Sequence, residues 1–299
     1  MSPASRILAA QVTMTDTILT IIQAGAAASI FAYSFSRGLS VRPGDLWYLG
    51  RRPGLLLKSL LAVDVLVPLL TIIVIALVRP ARATAVGLLI LAASPAAPLV
   101  LKKIPKAGGA MEYAVSLHVA LASLAIVTTP VTLALLSTAT GLPLEISLLA
   151  VAGQIGASIL LPILAGMIAG WLFPALAKRL CSPLEALSGI VMALVVLLLL
   201  LSTYHLLLTL DLQSYVAIVL VIAGALVAGR LVVAGQPEKQ ATLALECASR
   251  NVGLALLIAS TFTPLENALP VLIPYLVISA VAGLIYARYQ KIVHGVEPS

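Results

Sequence analysis

Apolar residues run along this chain in long blocks, and nine blocks approach the ~20 residues that an α-helix needs to cross a bilayer. They are Thr15–Ser36, Leu55–Val78, Thr84–Leu101, Glu112–Ser137, Glu145–Phe173, Leu184–Thr203, Ser214–Val233, Gln240–Phe262 and Glu266–Tyr289. The pattern predicts an all-α polytopic membrane protein of nine transmembrane helices. The first block follows a single basic residue, Arg6, carries Asp16 at its edge and is longer than a signal-peptide core, so it reads as a span and not as a cleaved leader. The fifth block spaces Gly153, Gly156, Gly166 and Gly170 along its length, which predicts close packing on neighbouring helices.

Two blocks are interrupted near their centres. In the third, Ser94-Pro95-Ala96-Ala97-Pro98 removes two amide donors and breaks the helical ladder. The eighth holds Glu246, Ser249, Arg250 and Asn251 among apolar flanks, followed by Gly253. An ionised side chain at a helix centre costs roughly 2.5–3.5 kcal/mol on insertion scales, so charges there mark a functional site or a structural ion pair. Glu246 and Arg250 are four apart, on one helix face, where each neutralises the other. The two interrupted blocks lie an odd number of spans apart and cross the membrane in opposite senses. That is the pattern of inverted repeats, 1–140 with its first helix missing and 141–299, within a single transporter domain. Paired interruptions in corresponding positions point to a binding site at the midplane.

Composition strengthens the membrane reading. Of 299 residues, 61% are hydrophobic and 10% charged, and mean hydropathy is +1.14. The formal net charge of +7 is spread between apolar blocks instead of gathered into a patch, which removes a nucleic-acid partner from the picture. With the amino terminus outside, inner segments hold Arg37, Arg42, Arg51, Arg52, Lys102, Lys103, Lys106, Lys178, Arg179, Lys239, Arg288 and Lys291, and outer segments only Arg6, Arg79 and Arg82. The positive-inside rule then places the carboxyl terminus in the cytoplasm, and the expected location is a cell membrane, plasma or inner. Two cysteines, Cys181 read in a loop and Cys247 in the eighth block, suggest no disulfide framework. The three histidines, His118, His205 and His294, are too scattered for a metal cluster.

The string Glu246-Cys-Ala-Ser-Arg-Asn-Val-Gly-Leu-Ala255 resembles the E-x-G-x-Q-N-x-x-L-A signature of the bile acid:sodium symporter family. Arg51-Arg52-Pro53 ahead of a helix with Pro68 at mid-span, and Pro95 in the first interruption, are similar to that family too. The resemblance implies inverted repeats with two crossed broken helices, a core and a panel domain that rock against each other, and sodium-driven movement of organic anions such as bile acids. It also implies that Arg250 stands where the family carries a sodium-liganding glutamine. Pro95 to Leu101 lacks the hydroxyl and amide oxygens of the family's P-G-G-T-A-S-N. A fixed guanidinium repels a hard cation that wants several oxygens, so sodium binding is not carried over.

The residues therefore suggest a secondary transporter of a small organic anion with degenerate sodium sites, no cofactor, and membrane lipid around it. Candidate substrate or ion-binding positions are Glu246, Ser249, Arg250, Asn251, Asp64, Ser94, Pro95, Pro98 and His118. Asp64 and His118 are the further ionisable groups at membrane depth and leave proton coupling open, as the family habit leaves sodium coupling open. A true sodium symporter is the nearest alternative. A non-transporting membrane sensor and an intramembrane enzyme using Glu246, Asp64 and His118 are alternatives of other classes.

Overall fold

The computed structural model describes residues 3–41, 48–141, 147–208, 210–262 and 265–294. These are helical almost throughout: α1 (Pro3–Ser40), α2 (Pro53–Val78), α3 (Arg82–Ala93), α4 (Met111–Thr140), α5 (Leu149–Leu172), α6 (Pro174–Leu208), α7 (Leu212–Val232), α8 (Pro237–Ala248), α9 (Val252–Phe262) and α10 (Leu265–His294). There is no strand among them. Six helices, α2, α4, α5, α6, α7 and most of α10, are long and apolar enough to cross a membrane, and α3 is a shorter apolar helix. Outward faces stay apolar, with Leu57, Leu69 and Leu77 on α2 and Leu187, Leu194 and Leu201 on α6 exposed. A surface of that kind belongs in lipid, and the chain is a polytopic integral membrane protein.

Local chemistry sets the helix limits. Pro53, Pro174 and Pro237 stand at the first helical position, where a missing amide proton costs nothing. Asp211 caps α7 by accepting a hydrogen bond from the Ser214 amide at 3.2 Å. Within α2 and α5, Pro68 and Pro162 each follow a stretch of wider, π-type winding, Ala62–Leu66 and Gly156–Leu160, that keeps the proline ring off the carbonyl four residues back.

Packing sorts the helices into two groups. Helices α1, α5 and α6 lie against one another, while α7 packs on α2 and α8, and α3 on α10. The groups meet where α4 touches α5, where α1 touches α9 and where α6 touches α10. The α1–α5 contact is backbone on backbone, because a Cβ on Gly166 would strike the Phe35 carbonyl and one on Gly170 would sit 2.8 Å from the Leu39 carbonyl. Gly153 instead faces open space.

One local expectation is corrected. Cys181 is on helix α6, not in a loop, because that helix starts at Pro174, ahead of the apolar block, and runs through Pro183. The Ser36 hydroxyl, reaching from α1, donates to the Cys181 carbonyl at 2.8 Å. After the first interruption, Val100, Leu101, Ile104 and Ala107 form a buried cluster with Ala241, Leu245 and Tyr286. Short 3-10 turns, Pro98–Lys102 and Pro105–Ala107, make that packing, and Gly108 closes them at φ 69°.

Candidate functional site

Helix α3 stops at Ala93 because Ser94 and Ala97 each precede a proline, and both take the extended conformation that a following proline favours, with ψ of 143° and 131°. Ser94 ties off the helix end by donating its hydroxyl to the Ile90 carbonyl at 2.8 Å. Helix α8 stops at Ala248 without any proline. There Ser249 leaves helical geometry at φ −100°, ψ 79°, and Asn251 opens α9 as its cap, its side-chain oxygen accepting from the Leu254 amide at 3.0 Å.

The two interruptions satisfy each other. Ala96 and Arg250 pair as an isolated antiparallel bridge. The Ala97 amide donates to the Ser249 carbonyl at 2.6 Å, and the Asn251 amide to the Pro95 carbonyl at 2.9 Å. Backbone polar groups that would be intolerable in an apolar interior thus find partners in the opposite break. Tyr275 of α10 adds a third tie, its hydroxyl donating to the Ala248 carbonyl at 3.0 Å.

Arg250 is 2% exposed, and its guanidinium spans three segments. One terminal nitrogen donates to the Ser94 carbonyl at 3.1 Å and the other to the Val63 carbonyl at 2.7 Å. The Val63 carbonyl is free for a reason legible in the winding of α2. The Val67 amide bonds to Ala62, five residues back, and the residue five beyond Val63 is Pro68, which has no amide proton to give. Asp64, half-buried on the same turn, lies within electrostatic reach of Arg250.

The expected Glu246–Arg250 pair does not form. The helix ends between the two residues, so the four-residue register that would stack their side chains is lost, and Arg250 turns to the carbonyls instead. Glu246 is fully buried, and neither carboxyl oxygen has a hydrogen-bond partner. Its nearest ionic neighbour is His118 of α4, whose Nδ1 lies 3.6 Å from Oε2. Among the described residues, His118–Glu246 and Arg37–Glu185 are the ion pairs, and Arg250 is in neither.

Beside the breaks is a cavity of about 240 Å³. Its walls come from both helix groups: Ile30 and Tyr33 of α1, Ser188 and Met192 of α6, Ala97, Arg250 and Asn251 of the breaks, and Gly253 of α9. A Cβ on Gly253 would come within 3.0 Å of Ile30 and 3.1 Å of Met192, so glycine keeps this space open. Asn251 brings a buried amide nitrogen with no acceptor. Of the candidate positions, Arg250 and Asn251 line the cavity, Ser94, Pro95 and Ser249 hold the breaks together through their backbones, Pro98 begins the 3-10 turn, and Glu246 with His118 forms a separate buried cluster. Sequence reasoning missed Val63, Tyr275 and Met192. Val63 acts through a carbonyl that no side chain advertises. Tyr275, a phenol within an apolar stretch of α10 that needs a partner when buried, was the readable signal.

The residues present do not fit a sodium ion at the breaks. Two carbonyl oxygens there already accept from a guanidinium, and Pro95 to Pro98 offer no side-chain oxygen.

Among known proteins, the model of the sodium bile acid symporter family matches residues 27–210, more than half of the chain. No curated protein sequence matches it.

Proposed function

The chain belongs to the sodium bile acid symporter family, and from that premise we propose that it is a secondary transporter of an organic anion, working by alternating access without sodium. One observation carries the sodium-independent part: the guanidinium of Arg250, donating to the Ser94 and Val63 carbonyls, supplies at the breaks the positive charge that a cation would bring. The cavity argues for the substrate class. Its walls are mainly apolar, while Asn251 and the amino-terminal end of α9 offer donors and a positive helix pole to an anionic group. An anion with an apolar body suits both halves.

In this reading nine spans form two inverted repeats, residues 1–140 and 141–299, with the amino terminus outside and the carboxyl terminus in the cytoplasm. Helices α1, α5 and α6 act as the panel that moves, and the remainder as the core that carries the two crossed breaks. The division of the packing into these two groups, with the cavity between them, supports that assignment. The test is uptake of labelled cholate into proteoliposomes holding the purified protein, with sodium or potassium chloride outside at equal ionic strength. Equal uptake in both salts is expected. Uptake in sodium alone would replace this reading with sodium symport, a reading that the unpartnered Glu246 carboxylate would then serve. Cholate binding without uptake would favour a sensor on the same fold.

A further inference from the structure

We infer that the protein holds the phosphate headgroup of an anionic membrane phospholipid at the end of the bundle where α2 and α8 begin and α7 ends. A second cavity, of about 410 Å³, opens there, within the size range of small-ligand sites and sharing no wall residue with the cavity at the breaks. Three cations stand around it: Arg52 just ahead of α2, Lys58 in the second turn of α2 and Lys239 in the first turn of α8. No acidic side chain lines it among the described residues.

None of the three is neutralised by a described residue, since the ion pairs there are Arg37–Glu185 and His118–Glu246. Arg52 lies over the Tyr48 ring at 4.0 Å and donates to the Tyr48 carbonyl at 3.3 Å, which fixes its direction and leaves its charge. Lys239 donates to the side-chain oxygen of Gln236, a neutral partner, and Lys58 is exposed. Glu238, next to Lys239 in sequence, is exposed and outside the cavity wall. Like charges gathered around one concavity focus a positive potential that scattered surface lysines do not, and its complement is a compact anion. Gly54 forms part of the wall, and a Cβ there would meet nothing within 4 Å, so the space in front of it is open.

The surroundings of the cavity select a lipid over a soluble anion. Leu57 and Leu61 of α2 and Val227 and Leu231 of α7 are exposed, and Leu57 and Leu231 adjoin the wall residues Lys58 and Val232 in sequence. A phosphate seated here thus has apolar helix surface within a turn, where acyl chains lie and for which a soluble phosphate ester has no use. With the amino terminus outside, as proposed above, this end meets the cytoplasmic leaflet, whose anionic lipids draw basic clusters. The bound headgroup ties the start of α2, which supplies the Val63 carbonyl, to the start of α8, whose far end makes the second break.

The test is native mass spectrometry of the detergent-purified full-length protein with phosphatidylglycerol and phosphatidylcholine of identical acyl chains. Wild type should retain phosphatidylglycerol about tenfold or more tightly, and no preference would overturn the site. Lys58→Gln combined with Lys239→Gln should remove the preference. The same change of charge made by Lys178→Gln with Arg179→Gln, on α6 and outside the cavity wall, should keep it. An equal loss in that control would show diffuse attraction to a basic surface and contradict a built site. Gly54→Phe fills the cavity without altering charge and should also remove the preference; binding that survives it would overturn the cavity as the site. Both cavity variants alter exposed or half-exposed positions and should unfold at the wild-type temperature in phosphatidylcholine. Displacement of phosphatidylglycerol from wild type by millimolar inorganic phosphate or glycerol 3-phosphate would overturn the lipid as occupant and put a soluble phosphate ester in its place.

Discussion

Arg250 and Glu246 are both buried, four residues apart, and meet opposite surroundings. The guanidinium is received by two carbonyl oxygens from two other segments, whereas the carboxylate has no hydrogen-bond donor and only His118 nearby. What separates them is the end of α8 at Ala248. Ahead of it Glu246 keeps helical register and points where its helix face dictates. Beyond it Arg250 is free to reach across the breaks. A buried cation finds partners wherever the backbone is interrupted, because interrupted backbone exposes carbonyls; a buried anion at the same depth needs donors, and intact helices keep theirs.

The contrast can be broken first at the arginine. Arg250→Leu leaves two buried carbonyls unpaired and should cost about 3 kcal/mol or more of stability, seen as a large fall in the thermal unfolding midpoint of detergent-purified protein. A near-wild-type midpoint would mean that the guanidinium does not hold the breaks together. Pro68→Ala sharpens the point, because an alanine amide there can bond to the Val63 carbonyl in place of the arginine. In that background Arg250→Leu should cost about 1 kcal/mol less, and a double-mutant cycle with no coupling would contradict the account of the α2 winding. Tyr275→Phe removes one donor from the Ala248 carbonyl and should cost about 1 kcal/mol by the same assay. Glu246→Gln should be smallest, within about 0.5 kcal/mol of wild type near neutral pH, since no hydrogen bond is lost. A loss as large as that of Arg250→Leu would restore the ion pair that the helix end forbids.

Much of the architecture could be read from the chain. The apolar blocks gave helices in their expected places, and Pro95 and Pro98 announced the first break through rules that act within two residues. The second break was visible from Ser249, Arg250 and Asn251, but what it does to side-chain direction was not. The four-residue pairing rule assumes an unbroken helix, and it failed here because the helix ends two residues after Glu246. Contacts across long sequence separations were beyond any local rule. His118 reaches Glu246 from α4, and the Val63 carbonyl reaches Arg250 from α2. Residue type still helped: each ionisable residue flagged at membrane depth lies at or beside this cluster, as the cost of burying charge requires.

The central claim is that the guanidinium of Arg250 stands in for a cation at the breaks. Its most direct test is thermal unfolding of the wild-type protein in sodium chloride and in potassium chloride at equal ionic strength and constant pH. The account predicts the same midpoint in both salts, because the carbonyls that a sodium ion would need are already engaged. A midpoint that rises with sodium and saturates, with potassium inert, would show a built sodium site and contradict it.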